Sequence, residues 1–313
     1  MNSATGTALA AAGAAAAAAL ALGGCSVDFG VHTETRSYDV REDVTAVRLT
    51  SDGGRVEIVG SDAPGIAVQE RLRWSNSRNK PRPRHSVADG TLTLSSSCGH
   101  TIIGGGACEI AYRVRVPRGL ALQVTTDDGA ISASGLNGRL TLRTGNGPIT
   151  VRHLRAPALS AHTDSGAIRV SGRAETADLR TDTGTIQAAA LQAARLTAHT
   201  QDGRIHLTGR ADTADLQTDS GGIDATALAS RRLTARTADG TVRIALSTPP
   251  DSVRARTDSA AVRLTLPASH SYAVTLESQE GSRRISPAVH QDNRSPRTVV
   301  VTTNDGSITV DAA

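Results

Sequence analysis

A repeat of 18 or 19 residues constrains this chain more than any other feature. A Thr is followed three residues later by a Gly at Thr126–Gly129 and again at Thr144–Gly147. The spacing recurs at 163–166, 181–184, 200–203, 218–221 and 237–240, and a degenerate copy at 257–260 ends in Ala. The glycines lie 18, 19, 18, 19, 18 and 19 residues apart. Such a fixed period is typical of a solenoid in which each repeat forms one coil.

Apolar residues alternate on both sides of each Thr-x-x-Gly corner. Leu140 and Leu142 precede one corner, and Ile149 and Val151 follow it. This period of two predicts half-buried strands, and stacked strands place like residues in columns about 4.8 Å apart. One predicted column is aliphatic throughout: Ile131, Ile149, Ile168, Ile186, Ile205, Ile223, Val242 and Val262. We therefore predict an all-β, single-domain parallel β-solenoid (β-helix) with about 18–19 residues per coil.

The corner residues have separate expected roles. The Thr shares the parity of the inward apolar residues, so its hydroxyl is expected inside the corner, where it can satisfy turn amides. The Gly is expected to supply a positive φ. Residues 121–266 are predicted to form the regular coils.

The two ends are predicted to be irregular caps, because solenoids need atypical terminal units to hide open sheet edges. We assign residues 41–120 to N-terminal irregular coils and a cap, and 267–313 to C-terminal coils and a cap. Gly53 and Gly90 are 37 residues apart, which suggests two coil corners. Residues 25–40 are expected to be a tether.

The N-terminus is predicted to be an export signal, residues 1–24. Residues 4–22 are almost all Ala and Leu without charge, and they lead to Leu22-Gly23-Gly24-Cys25. This arrangement resembles a bacterial lipoprotein signal, in which Cys25 carries the lipid and becomes the first mature residue. The first 20 residues contain no Lys or Arg. An ordinary secretory signal or an Ala-rich anchor helix is the alternative.

The remaining cysteines, Cys98 and Cys108, form an even pair across a Gly-rich loop. In an exported protein such a pair is expected to be a disulfide. A metal site with His100 as third ligand is the alternative, although the spacing fits no common zinc motif.

Composition excludes some binding surfaces. Aromatic residues make up 2% of the chain: Phe29, Tyr38, Trp74, Tyr112 and Tyr272. That leaves no aromatic platform for sugars or nucleic-acid bases, and the export signal also argues against nucleic acid. Lys and Arg number 34 against 30 Asp and Glu, so the net charge is +4.

Basic residues recur at one outward position just before each corner Thr. An outward cationic column could bind an anionic polymer such as teichoic acid, an acidic glycan or phospholipid head groups by charge. Alternatively, these side chains pair with acidic turns and keep the sheet soluble. The residues are Arg143, His162, Arg180, His199, Arg236 and Arg256, with Gln217 between them. A second outward column holds Arg169, His206, Arg243 and Arg263, diluted by Asp224.

A basic segment at 71–84 is a separate candidate site. It contains Arg71, Arg73, Arg78, Lys80, Arg82 and Arg84, together with Trp74 and two prolines. Beside a lipid anchor it could touch an anionic membrane. A solvated mobile loop is the alternative.

We predict no catalytic residues, no metal and no cofactor. Corner carboxylates such as Asp164, Asp182 and Asp219 occur mostly one per repeat, which favours turn formation over calcium binding, although a weak calcium site stays open. Nucleophile-elbow and zinc-protease motifs are absent from the sequence, and compact coils leave no loop to wall a cleft.

Four features together resemble a known family: the Cys25 signal, the Cys98/Cys108 pair, Val-Pro-Arg-Gly at 116–119, and the Thr-Asp-x-Gly-x-Ile coils. Over about residues 40–310 the chain is similar to the exported bacterial β-strand-repeat "putative adhesin" family, a domain of unknown function. The resemblance implies a surface β-solenoid with adhesive or envelope-stress roles.

These observations lead to one functional hypothesis with two alternatives. We expect a non-enzymatic lipoprotein, anchored on the extracytoplasmic face of the cell membrane, that presents a solenoid surface for adhesion or interaction with an envelope protein or cell-wall polymer. The main alternative is a receptor for an anionic envelope polymer that binds along the cationic column. A polysaccharide-acting β-helix enzyme is the remote alternative.

Overall fold

The computed structural model describes residues 30–98 and 107–313. The predicted export signal, Cys25 and His100 lie outside these residues. The regular elements are one short 3-10 turn, Ser77–Asn79, and the following strands: β1 (His32–Val40), β2 (Ala46–Ser51), β3 (Val56–Ser61), β4 (Ile66–Trp74), β5 (Arg82–Ala88), β6 (Thr91–Ser97), β7 (Cys108–Pro117), β8 (Ala121–Thr126), β9 (Ile131–Ser134), β10 (Leu140–Thr144), β11 (Ile149–Thr163), β12 (Ile168–Thr181), β13 (Ile186–Thr200), β14 (Ile205–Gln217), β15 (Ile223–Ala229), β16 (Arg232–Arg236), β17 (Val242–Leu246), β18 (Ser252–Arg256), β19 (Val262–Leu266), β20 (Ala273–Ser278), β21 (Arg283–Ile285), β22 (Thr298–Thr303) and β23 (Ile308–Ala312).

The strands form one open, mainly parallel sheet that winds as a β-solenoid, as the repeat predicts. Each coil has a first-face strand before the Thr-x-x-Gly corner (the first corner) and a second-face strand after it. From β8 to β19 each coil pairs with the next in register. The predicted aliphatic column runs unbroken from Ile131 to Val262, and its members are at most 1% exposed.

The threonines form the predicted hydrogen-bonded ladder inside the first corner. Thr144 donates its hydroxyl to the carbonyl of Gly129 in the preceding coil at 2.9 Å and accepts from the amide of Gly147 in its own corner at 3.2 Å. The same two bonds recur at Thr163, Thr181, Thr200, Thr218 and Thr237. Each hydroxyl therefore joins two coils, and the amide of each corner Gly has a partner at these positions.

The role expected for the corner glycines is wrong in one respect. None of Gly147, Gly166, Gly184 or Gly203 has a positive φ. A Cβ at Gly203 would instead overlap the carbonyl oxygen of Gly184, and the same overlap recurs at each regular corner Gly. Glycine is required there because two backbones approach closely, rather than for a left-handed conformation.

The second corner, where the chain leaves the second face for the next coil, explains the alternating repeat length. The 19-residue coils contain an extra residue in the left-handed region, with φ near 50° at His153, Ala190 and Ala227. The 18-residue coils use Gly172 and Gly209 at φ 122° and 111°. The paired residues at this corner alternate between Leu and Gly: Leu154, Gly172, Leu191, Gly209 and Leu228.

Chain order and stacking order differ at both ends of the solenoid. Strand β2 pairs with both β6 and β8, and β3 pairs with both β7 and β9. At the other end, β22 pairs with β18 and β20, and β23 pairs with β19 and β21. The first and last coils of the chain thus lie one layer inside the stack, and internal segments form its two outermost coils.

The N-terminal end is closed by antiparallel strands, which corrects two expectations. Strand β5 pairs with β6, and β4 pairs with both β7 and β1. Residues 32–40 are an edge strand rather than part of a tether: they pair with β4, and Tyr38 and Val40 face the core. Gly90 lies in the hairpin turn between β5 and β6, with φ 49° at Asp89 and 67° at Gly90, so it is not a coil corner.

Cys98 and Cys108 form the predicted disulfide, with their Cα atoms 5.8 Å apart. They join the end of β6 to the start of β7, where the other coils have the first corner. The disulfide therefore closes the base of an insertion in the outermost N-terminal coil. This bond excludes the alternative in which both thiols bind a metal.

Candidate functional site

The cationic column exists as a continuous row on the first face. Register places Arg143, His162, Arg180, His199, Gln217, Arg236 and Arg256 on successive strands. The arginines are exposed and the two histidines are half-buried. Because the strands are about 4.8 Å apart, the column presents an arginine or histidine at nearly every layer over several coils.

Acidic neighbours neutralise much of this column. Arg180 binds Asp178 at 2.9 Å, Arg256 binds Asp258 at 3.3 Å, and Arg236 lies 3.6 Å from Asp215. The ring of His162 lies 3.1 Å from Asp164. These exposed pairs are individually weak, but they lower the local positive potential.

Two members of the column differ from the rest. Within the described ranges, Arg143 and His199 have no carboxylate partner at ion-pair distance. Arg84 lies on the same row as Arg143, and the residues between them are Ser95, Thr50 and Thr125. A ligand held by charge would therefore meet an unpaired arginine, Arg143, at the end of the column nearest the N-terminal cap.

The second outward column is also in register but is mixed in charge. Arg169, Gln187 and His206 lie on successive second-face strands and are followed by Asp224, Arg243 and Arg263. His206 lies 3.8 Å from Asp224. The column therefore has no uninterrupted cationic run.

A groove beyond the second corner was not predicted from the sequence. It has a volume of about 540 Å³, with small buried side chains such as Ala156, Ala174 and Ala193 along its floor. One bank carries Arg155, Arg173, Gln192 and Arg210 on successive strands. The recurring Gly-Arg-Ala at 172–174 and 209–211 is the sequence signal that could have located it.

The cations of this groove are oriented by neighbouring side chains. Arg173 donates to Gln192 Oε1 from Nη2 at 2.7 Å, and Arg210 pairs with Asp212 at 3.1 Å. Arg155 has no ion pair among the residues that the structure describes. The groove therefore has three arginines and one amide along one bank, and Glu175 and Asp212 also line it.

The basic residues of 71–84, here the N-terminal basic cluster, lie on ordered elements rather than on a mobile loop. Arg71 and Arg73 project from β4, Arg78 belongs to the 3-10 turn, and Arg82 and Arg84 project from β5. The turn is held by Asn76, whose side chain accepts from the amides of Arg78 and Asn79. The predicted alternative of a mobile loop is wrong for this reason.

Trp74 and Glu34 organise the centre of this cluster. The ammonium of Lys80 lies 4.6 Å from the Trp74 ring centroid, and the His32 ring stacks on the same indole at 5.6 Å. Lys80 and Arg36 also bind the carboxylate of Glu34 at 2.8 and 2.7 Å. The hydrogen bonds from Arg36 and then Lys80 lower the pKa of Glu34 to about 2.

A buried polar network lies beneath the cluster. Glu70 is 2% exposed and accepts a hydrogen bond from the Tyr38 hydroxyl at 2.8 Å. Burial, together with this bond, raises the pKa of Tyr38, and burial raises the pKa of Tyr112 to about 12. The His85 ring stacks on Tyr38 at 4.5 Å. These contacts tie β1 and β5 to the core of the cap.

No metal centre is found in residues 30–98 and 107–313, where no three His, Cys, Asp or Glu side chains converge. The same part of the chain contains no helix that is long and apolar enough to span a membrane.

Comparison with known families identifies the fold. The profile of Toastrack DUF4097 matches residues 44–313. The chain belongs to this family. No curated protein matches it. The Toastrack match includes the cationic column, the second-corner groove and the N-terminal basic cluster, but strand β1 precedes it.

Several solved structures are similar to this Toastrack chain. A putative adhesin from Parabacteroides merdae has 14% identity and a TM-score of 0.48, with 90% of this chain and 96% of that chain covered. A putative lipid binding protein from Parabacteroides distasonis has 14% identity and a TM-score of 0.47, with the same two coverages. A putative adhesin from Parabacteroides distasonis has 14% identity and a TM-score of 0.46, with 90% and 97% covered.

Proposed function

We propose that this Toastrack protein is a non-enzymatic binding protein of the extracytoplasmic cell envelope. The observation that carries the proposal is the register of the outward columns, which presents the same side-chain position at every layer of a rigid scaffold. Such a surface suits a long or repetitive partner better than a small substrate. The Cys98–Cys108 disulfide supports an oxidising compartment.

The proposed anchor is a lipid on Cys25. Its test is metabolic labelling with a fatty-acid analogue in a bacterial host, with the Cys25→Ser chain as control. Label on the wild-type chain alone, together with its recovery in the membrane fraction, is the expected result. An unlabelled, secreted chain would show that the signal is an ordinary secretory one.

The envelope-binding proposal is tested with a chain that begins at residue 26. This chain contains every strand and the disulfide, so the described fold is retained. We expect it to cosediment with isolated cell walls or with purified envelope proteins. Failure to bind any envelope fraction would contradict the proposal.

An anionic envelope polymer is the second candidate partner. Arg143 and Arg155 favour it, because neither has an ion-pair partner within the described residues and each begins a row of cations. Binding through such rows is screened by salt. We therefore expect affinity for teichoic acid or an acidic glycan to fall steeply from low to physiological ionic strength.

Two charge-reversal variants separate the two surfaces. One changes Arg143, Arg180, Arg236 and Arg256 to Glu, and the other changes Arg155 and Arg173 to Glu. Loss in the first variant alone would assign the polymer to the cationic column, and loss in the second alone would assign it to the groove. Salt-insensitive binding that both variants retain would instead favour adhesion to an envelope protein.

A further inference from the structure

The N-terminal end of the solenoid carries a basic surface whose arginines have no ion pair within the described part of the chain. Arg71, Arg73, Arg78, Arg82 and Arg84 are exposed, and none has a carboxylate at ion-pair distance there. This contrasts with the cationic column, in which most cations are paired. Unpaired arginines in water retain their full attraction for a polyanionic surface.

The fold gathers these residues at one end of the stack. Strand β5 is the outermost strand of the first face, and β4 lies beyond β7 on the second face. The segment between β4 and β5 crosses that end and carries Arg78 and Lys80. Among the acids at this end, Glu34 is neutralised by Arg36 and Lys80, and Glu109 lies opposite Arg73 in register. Asp39, near the end of β1, and Asp89, in the β5–β6 turn, also lie at this end.

A half-buried indole lies in the same place. Trp74 is the only tryptophan of the chain. The His32 ring stacks on its indole and the Lys80 ammonium lies over the same ring, so the indole is held at the margin of the cluster. Tryptophan beside basic residues is typical of protein surfaces at the membrane–water interface. The rest of the cap is stabilised without it, by the Tyr38–Glu70 bond and the disulfide.

The chain enters the fold at this end. Strand β1 begins at His32, opposite Trp74, and His32 is the seventh residue after Cys25. Seven residues span at most about 25 Å when fully extended. A lipid on Cys25 would therefore hold this end, rather than the C-terminal end, against the bilayer.

We propose that the N-terminal basic cluster docks directly on an anionic phospholipid bilayer, with Trp74 at the interface. The docking orients the solenoid so that its C-terminal coils point away from the membrane. It deepens the proposed envelope function by naming the surface that faces the lipid, but it requires no polymer and no adhesion partner. Each unpaired base near an anionic leaflet is expected to strengthen binding by about fivefold.

The test uses the chain that begins at residue 26, so that no lipid anchor contributes. Vesicles of phosphatidylglycerol and phosphatidylcholine are compared with vesicles of phosphatidylcholine alone, at low and high salt. Brominated lipids report contact because Trp74 is the sole tryptophan. We expect cosedimentation and quenching only with the anionic vesicles, and loss of both at high salt.

Two matched triple variants locate the surface. The first changes Arg73, Arg78 and Arg82 to Glu, and the second changes Arg283, Arg284 and Arg294 to Glu in the C-terminal cap. Both make the same change in net charge at exposed positions, and unchanged thermal unfolding shows that each is folded. We expect the first to weaken partitioning by at least about 100-fold, and the second to retain binding and quenching.

Three results would overturn the proposal: no binding to anionic vesicles by the wild-type chain, equal loss in both variants, or cosedimentation without quenching of Trp74. None of them affects the cell-wall experiments above, which contain no lipid. Conversely, vesicle docking would stand even if no envelope polymer or protein bound.

Discussion

The two corners of each coil both connect its two faces, but one has constant residues and the other has alternating residues. At the first corner the coils with corner glycines from Gly147 to Gly240 use the same residues, a buried Thr and a Gly that lies against the carbonyl of the preceding Gly, and only the copy at 257–260 ends in Ala. At the second corner neighbouring coils differ, because Leu154 and Leu191 alternate with Gly172 and Gly209. The residues are constant at the first corner because the backbones of two coils are in contact there. They can alternate at the second corner because a large side chain in one coil can fill the space left by a Gly in the next.

This difference shows which part of the repeat sets the stacking distance. The first corner has no side-chain freedom, since each hydroxyl bonds two coils and each Gly leaves no room for a Cβ. The second corner absorbs one residue more or less by a bulge, with Ala190 left-handed in one coil and Gly209 in the next. The first corner therefore fixes the layers, and the second adjusts the length of each coil.

The largest effect is expected at a first-corner glycine. Gly203→Ala would drive a Cβ into the carbonyl of Gly184 and force two coils apart, so we expect a loss of at least about 3 kcal/mol in the free energy of unfolding. Gly119→Ala is the control, because a Cβ there meets no atom within 4 Å. Denaturant unfolding of both variants measures the difference. Similar losses for the two would contradict a stacking distance fixed at the first corner.

The disulfide gives a third kind of corner in the outermost coil. Replacing Cys98 and Cys108 by Ser removes a cross-link that closes a loop with a sequence separation of 10. We expect a loss of about 3 kcal/mol, largely through greater freedom of the unfolded chain. Trp74 fluorescence should report the loss at the N-terminal end, while circular dichroism reports the regular coils. A variant as stable as the oxidised wild type would show that β6 and β7 need no covalent closure.

A smaller effect is expected from a single ladder hydroxyl. Thr200→Val keeps the shape of the side chain but leaves the amide of Gly203 and the carbonyl of Gly184 without this partner. We expect a loss of about 2 kcal/mol. Thr197→Val, on the outward side of the same strand, should change stability by less than about 0.5 kcal/mol. If the two substitutions were equivalent, the ladder would contribute nothing beyond side-chain volume.

The smallest predicted effect has the opposite sign. Ala190 has φ 51°, which is unfavourable for a residue with a Cβ, so Ala190→Gly should stabilise the protein by about 1 kcal/mol. Ala189→Gly, in the extended strand one residue earlier, should destabilise it by about 0.5–1 kcal/mol. Thermal unfolding distinguishes the two directions. A loss of stability in both variants would mean that the left-handed bulge is not strained.

The sequence predicts the middle of the molecule well because each repeat stacks on a similar repeat and must match it in residue size. A residue such as Ile168 must match Ile149 and Ile186 in size, since all three occupy one column of the core. Thr163 and Gly166 recur for the same reason, although the purpose of the Gly, close approach rather than a positive φ, becomes clear only when two coils are seen together.

The ends are predicted less well because their pairing is antiparallel or out of chain order. Strand β1 has mostly polar residues. It is held against the core by Tyr38 and Val40, whose partners lie far along the chain. Gly90 resembles a coil corner in sequence but belongs to a hairpin. Of the candidate sites, the cationic column followed from periodicity, whereas its ion pairs depend on side-chain geometry that periodicity does not contain.

The inverted order of the end coils restricts how a protein of this kind can grow. Both outermost parallel coils are internal segments, and the first and last parallel coils of the chain are each held between two others. At the N-terminal end the antiparallel strands β5, β4 and β1 lie beyond them. A duplicated repeat added at the C-terminus would follow a coil that is already covered on both sides, and one added at the N-terminus would precede an antiparallel edge strand instead of a parallel coil. Lengthening by gene duplication, or by design, must therefore occur within residues 121–266, where one copy can be inserted between two like neighbours without disturbing either end.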